Sequence, residues 1–144
     1  MKTIALLFFS LFMVKGCSKE EKKDLANAEI VYTASSRGYY QKIIVHNQEI
    51  IISKDRFEES QGVTSKISEA NWNELISLLQ TVKLDSLSTY KVPTQRRFYD
   101  GAPIANLKVT YKEKEYQTSD FDHGTPPLEI EYFVKKLLLL AIHE

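Results

Sequence analysis

Two short stretches of the chain hold most of its chemically capable side chains. In Asp120-Phe121-Asp122-His123-Gly124-Thr125-Pro126-Pro127, two carboxylates and an imidazole crowd together just before a helix-starting proline. A divalent metal or an acid/base pair uses such groups. A metal needs three or four ligands, and the plausible additions are Asp100 and His46. An imidazole with no thiolate or second His beside it is a poor transition-metal site. Asp and Gly are also what a chain reversal requires. The favoured reading is therefore turn and cap chemistry, with no bound metal.

Arg96-Arg97-Phe98-Tyr99-Asp100-Gly101 is the second stretch. Guanidinium forks suit a carboxylate, a phosphate or a sugar acid. Read as a short strand, Gln95 to Tyr99 sends Arg96 and Arg97 to opposite faces. That arrangement guards a sheet edge with charge and does not make one fork. A third cluster, Ser35-Ser36-Arg37-Gly38-Tyr39-Tyr40, offers Arg and Tyr, residue types that anchor proteins or sugars. Its serines lack the G-x-S-x-G elbow of a nucleophile. The candidate ligand-binding residues are Arg37, Arg96, Arg97, Asp100, Asp122 and His123; none is assigned a catalytic role. The chain has no Walker loop, H-E-x-x-H, Rossmann glycine pattern or EF-hand loop. No cofactor is expected.

The elements that position these residues follow from periodicity. Glu29 to Ala34, Tyr40 to His46 and Glu49 to Ser53 are rich in β-branched and aromatic residues and read as strands, the last two joined by a hairpin at Asn47-Gln48. Lys54 to Lys66 fits either a loop or an edge strand. Ile67 to Val82 carries Trp72, Leu75, Ile76, Leu79 and Val82 at helical spacing behind a Ser68 cap. Ala105, Leu107, Val109 and Tyr111 alternate with polar residues, which predicts a half-buried strand returning through Tyr116 to Phe121. Thr125 and Pro126 should open a second helix over Leu128 to Ile142. Hairpin, helix, hairpin, helix implies an α+β fold: a mainly antiparallel sheet with both helices on one face, a two-layer sandwich.

The chain has 144 residues, with 19 basic and 19 acidic side chains. Zero formal charge argues against a nucleic-acid partner, and one Cys excludes an internal disulfide. The apolar run from Thr3 to Val14, behind Lys2, is shorter than the roughly 20 residues of a spanning helix and fits a signal peptide. After Cys17 come Ser18-Lys19-Glu20-Glu21-Lys22-Lys23-Asp24, a run too polar to bury. The expected division is residues 1–16 as signal, 17–28 as a charged tether and 29–144 as a single domain.

Val14-Lys15-Gly16-Cys17 resembles the lipobox of bacterial lipoproteins, with Lys15 standing where a small or apolar residue is usual. The resemblance implies that Cys17 is acylated, for example with palmitate, and becomes the mature N-terminus. Ser18 after the Cys resembles the outer-membrane sorting default, and the Lys and acidic residues that follow resemble the surface-export signal of Bacteroidetes lipoproteins. Phe98-Tyr99-Asp100-Gly101-Ala102 and Phe121-Asp122-His123-Gly124-x-Pro126-Pro127, with Trp72 between them, resemble small uncharacterised lipoproteins of that group. The resemblance implies a location and no chemistry. The expectation is a lipid-anchored outer-membrane protein that binds an envelope protein or glycan without catalysis. The alternatives are a small-ligand or metal-binding lipoprotein using Asp100, Asp122 and His123, and a hydrolase.

Overall fold

The computed structural model describes residues 24–57 and 62–143. The signal sequence, Cys17 and residues 18–23 lie outside the described residues. Of the expected tether, residues 24–28 belong to the domain. Asp24 and Leu25 are helical and the chain then turns, with Asn27 N–H donating to the Asp24 carbonyl and Ala28 N–H to that of Leu25. Ala28 is buried, and Leu25 and Ala26 pack against the core.

The fold is α+β: an open antiparallel sheet carrying two helices. The strands are β1 (Glu29–Ser35), β2 (Tyr40–His46), β3 (Glu49–Ser53), β4 (Val63–Lys66), β5 (Ile104–Tyr111), β6 (Lys114–Gln117) and β7 (Phe121–Asp122). Their order is β4-β3-β2-β1-β5-β6, and β7 pairs with the start of β5. Strict alternation in β1 buries Ile30, Tyr32 and Ala34 on one face. Register places Ile30 beside Val45 and Val109, and Tyr32 beside Ile43 and Leu107, so one face of the sheet is continuously apolar. Asn47 and Gln48 turn the β2–β3 hairpin at positive φ (51° and 64°), the mirror-image turn that matches strand twist.

The undecided stretch before the first helix ends in an edge strand, β4. A Cβ on Gly62 would come within 2.7 Å of Ile51 and Ser53 side-chain atoms, so only glycine lets β4 approach β3 here. Helix α1 (Glu69–Gln80) begins as expected: the Ser68 hydroxyl accepts the Asn71 N–H at 3.3 Å. Trp72, Leu75, Ile76 and Leu79 are its buried stripe. Helix α2 (Glu131–His143) starts later than Thr125 and Pro126 implied. A 3₁₀ turn, Leu128–Ile130, comes first, capped from Pro127. Its inner face is Phe133, Val134, Leu137, Leu140 and Ala141, while Ile142 is exposed and Leu138 only partly buried. The two helices meet where the Lys136 ammonium reaches Glu74 at 2.8 Å and Asn71 at 2.9 Å.

Candidate functional site

Arg96 to Tyr99 is not an edge strand. It is a 3₁₀ turn, and that overturns the expectation that Arg96 and Arg97 point apart. Both converge on Asp122. The carboxylate accepts four hydrogen bonds: the Thr94 hydroxyl, the Arg96 N–H at 2.8 Å, the Arg97 N–H at 2.9 Å and the Arg97 guanidinium at 3.2 Å. The Arg96 guanidinium lies within 3.8 Å of it. The first N–H groups of a helical turn lack intrahelical acceptors, and an anion there answers them and the turn dipole. Asp122 thus caps, from 26 residues away, a turn with no capping side chain of its own. Burial alone would push its carboxyl up. Donation from Thr94, from the Arg97 and Arg96 amides and from the Arg97 side chain outweighs that and holds the pKa down to about 2. Asp122 and Arg97 therefore bind one another and are withdrawn from any external ligand, while the half-exposed Arg96 guanidinium donates to the Thr125 hydroxyl at 3.0 Å.

The turn closes through Asp100, whose left-handed backbone (φ 58°) lets Gly101 N–H donate to the Arg96 carbonyl at 2.8 Å. Asp100 lines a cleft with Ser36, Arg37 and Gly38. His123 does not line that cleft, so Asp100, Asp122 and His123 do not form one site. His46 ends β2 beside its hairpin turn, about 20 Å of strand from Tyr40 at the other end. Among the described residues, no group of three or more His, Cys, Asp or Glu is placed to hold a metal ion. Asp120 accepts from the Asn106 amide at 3.2 Å and takes no part in either cluster.

His123 turns away from Asp122, because the strand ends at Asp122 and His123 lies in a turn closed by the Thr125 N–H donating to the Asp122 carbonyl at 2.8 Å. Its Nδ1 lies 2.7 Å from the Tyr32 hydroxyl and its Nε2 3.3 Å from the Tyr39 hydroxyl. Tyr39 donates its own proton to the Gln41 side-chain oxygen at 2.9 Å. Its oxygen must then accept from His123 Nε2–H, which leaves Nδ1 to accept from Tyr32. The chain of donors runs Tyr32 to Nδ1, Nε2 to Tyr39, Tyr39 to Gln41, with the imidazole neutral. Burial lowers the His123 pKa and favours that state. Burial, with the nearby Tyr39, also raises the Tyr32 hydroxyl.

This chain ends at a cleft of about 360 Å³ lined by Tyr39, Tyr40, Gln41, Lys54, His123 and two residues of α2, Leu138 and Ile142. A second hollow of about 280 Å³ shares Tyr39, Tyr40 and Lys54 with it and extends to Arg37, Asp55 and Arg56. The sequence reading pointed to Arg37 and His123. It missed Tyr32, Gln41, Lys54 and Thr94. Tyr32 could have been found: a tyrosine on the buried face of an alternating strand must find a partner for its hydroxyl.

No protein-family model matches the sequence, and comparison with curated proteins and with solved structures returned no match. The site's own chemistry is what bears on function.

Proposed function

We propose that this chain is a lipid-anchored protein of the bacterial cell envelope, held at the outer membrane through acylated Cys17, and that it binds a partner or ligand without transforming it. The signal-like run before Cys17 and the lipobox resemblance support the anchor. One observation carries the binding reading. The groups able to do chemistry are spent on each other, whereas Arg37 and Lys54, with no ion-pair partner among the described residues, rim a cleft walled by Tyr39 and Tyr40. Both His123 nitrogens are engaged, and among the described residues no Ser, Thr or Cys lines that cleft as a nucleophile. A hydrolase would need its imidazole released from two tyrosines before it could take a proton.

Two measurements test this. Cys17→Ser should move the protein from the membrane to the soluble fraction, and a variant that stays on the membrane ends the anchor reading. A photo-crosslinking residue at Lys54 should trap a component in living cells that the same residue at exposed Thr64 of β4 does not. Ester or glycoside turnover by purified protein, lost in His123→Ala, would establish the hydrolase instead.

A further inference from the structure

The two hollows beside Tyr39 and Tyr40 share both tyrosines and Lys54, so they form one groove with a gradient of polarity. One end is walled by Leu138 and Ile142, which offer no hydrogen bonds. The other end gathers Arg37, Lys54 and Arg56. Arg56 is already committed: it donates to the Ser36 carbonyl at 2.7 Å and sits 5.7 Å from the centre of the Tyr40 ring. Among the described residues, the acid lining this end is Asp55, which accepts the Phe57 N–H at 2.9 Å and pairs with neither Arg37 nor Lys54. Among the described residues, Arg37 and Lys54 are therefore the two cations left for a visitor.

We infer that this groove receives a small amphipathic monoanion, an aryl carboxylate by chemical class, with its carboxylate at Arg37 and Lys54 and its ring between Tyr39 and the α2 side chains. The inference rests on the binding reading above and names its ligand. The bare Leu138–Ile142 wall would leave sugar hydroxyls unpaired, which disfavours a glycan and suits an apolar body. A guanidinium takes a carboxylate in a two-pronged hydrogen bond, with Lys54 adding a point charge. Asp55 nearby penalises a second negative charge, so a monoanion fits better than a phosphate dianion. The Tyr39 ring is fixed by its bonds to Gln41 and His123 and tilted 38° to the imidazole, so the aromatic wall is set before the ligand arrives. About 360 Å³ for the apolar end alone lies within the usual range for small-molecule sites, roughly 300–1,000 Å³.

The test is calorimetric titration of the full-length, detergent-solubilised protein with 3-phenylpropionate, its neutral amide and acetate. The acid should bind at least about tenfold more tightly than either comparator, a contrast that reports both the charge and the ring. Arg37→Gln combined with Lys54→Gln should weaken the acid by about tenfold or more and leave the amide unchanged. Leu138→Asn should weaken acid and amide together. All three substitutions lie at partly or fully exposed positions, and an unchanged thermal midpoint confirms folding. Equal binding of acid and amide, or an acid affinity unmoved by the double substitution, overturns the anionic site. No binding by any of the three also overturns it. A Lys54 crosslink in cells would then show that the binding reading survives with another ligand, and absence of that crosslink would remove both.

Discussion

The Tyr32 hydroxyl meets Nδ1 of His123 at 2.7 Å, joining the first strand to a loop 91 residues later. Tyr32 is fully buried, so its hydroxyl has no water to turn to. His123→Ala should therefore cost about 1–3 kcal/mol, the penalty for stranding a buried polar group. Tyr32→Phe added to His123→Ala removes both partners, and the double variant should lose less than the two single losses summed. Additive losses in a denaturation cycle would show that the two groups are not coupled.

Acid should weaken the fold in two stages. His123 has its folded pKa lowered below its ordinary 6.5 by burial, so the unfolded chain takes up the proton first. The resulting stability is complete above pH 6.5 and falls as the pH drops through the folded value. Asp122 acts further down: its ordinary 3.8 drops to about 2, so its contribution is full above pH 3.8 and is lost as the pH falls through 2. Melting midpoints of wild type should decline from pH 7 to 5, and His123→Gln should flatten that decline. A wild-type midpoint constant over this range would contradict the buried neutral imidazole.

Asp122→Asn should be among the most damaging single changes. It leaves the Arg97 guanidinium, whose side chain is 10% exposed, beside an uncharged amide. Breaking one member of such a pair costs about 3–5 kcal/mol. The 3₁₀ turn Arg96–Tyr99 should loosen at the same time, read as faster amide exchange at Arg96 and Arg97. A loss below about 1 kcal/mol, the worth of an exposed pair, would mean that the clamp is not closed in solution.

Thr118 replaces a missing rung of the sheet. Its hydroxyl accepts the Leu107 N–H at 3.0 Å while its own N–H donates to the Leu107 carbonyl at 3.0 Å. Thr118→Val keeps the shape and removes the acceptor, so the buried Leu107 N–H is left alone at a cost of about 1–3 kcal/mol. Thr118→Ser should retain most of the stability. Equal melts for the Val and Ser variants would show that packing, and not the hydroxyl, matters there.

Trp72 is 9% exposed and heads the buried stripe of α1. Trp72→Ala should cost about 3–5 kcal/mol, as large-to-small changes of buried aromatics do. An unchanged thermal midpoint would place Trp72 outside the core.

Local patterns carried the elements. Alternation in Glu29–Ser35 and Ile104–Tyr111, helical spacing from Trp72 to Leu79, and the Ser68 cap depend on residues within a few positions of one another, so β1, β2, β3, β5, α1 and the α+β class were legible in the sequence, whereas the return expected at Tyr116 to Phe121 is β6 at Lys114–Gln117 followed by a separate β7. The site was not, because its partners are far apart in the chain. Arg96-Arg97-Phe98-Tyr99 has the aromatic content of a strand, yet a carboxylate 25 and 26 residues away supplies the acceptors that hold it as a 3₁₀ turn. The neighbours Asp122 and His123 read as one cluster along the chain. The strand ends between them and the chain turns, which sends one under the Arg96–Tyr99 turn and the other to Tyr32 and Tyr39, and only the packed sheet shows which. Lys54 and Leu138 carried no signal of their own: each became part of a cleft when the end of β3 and the last turns of α2 were brought beside Tyr39.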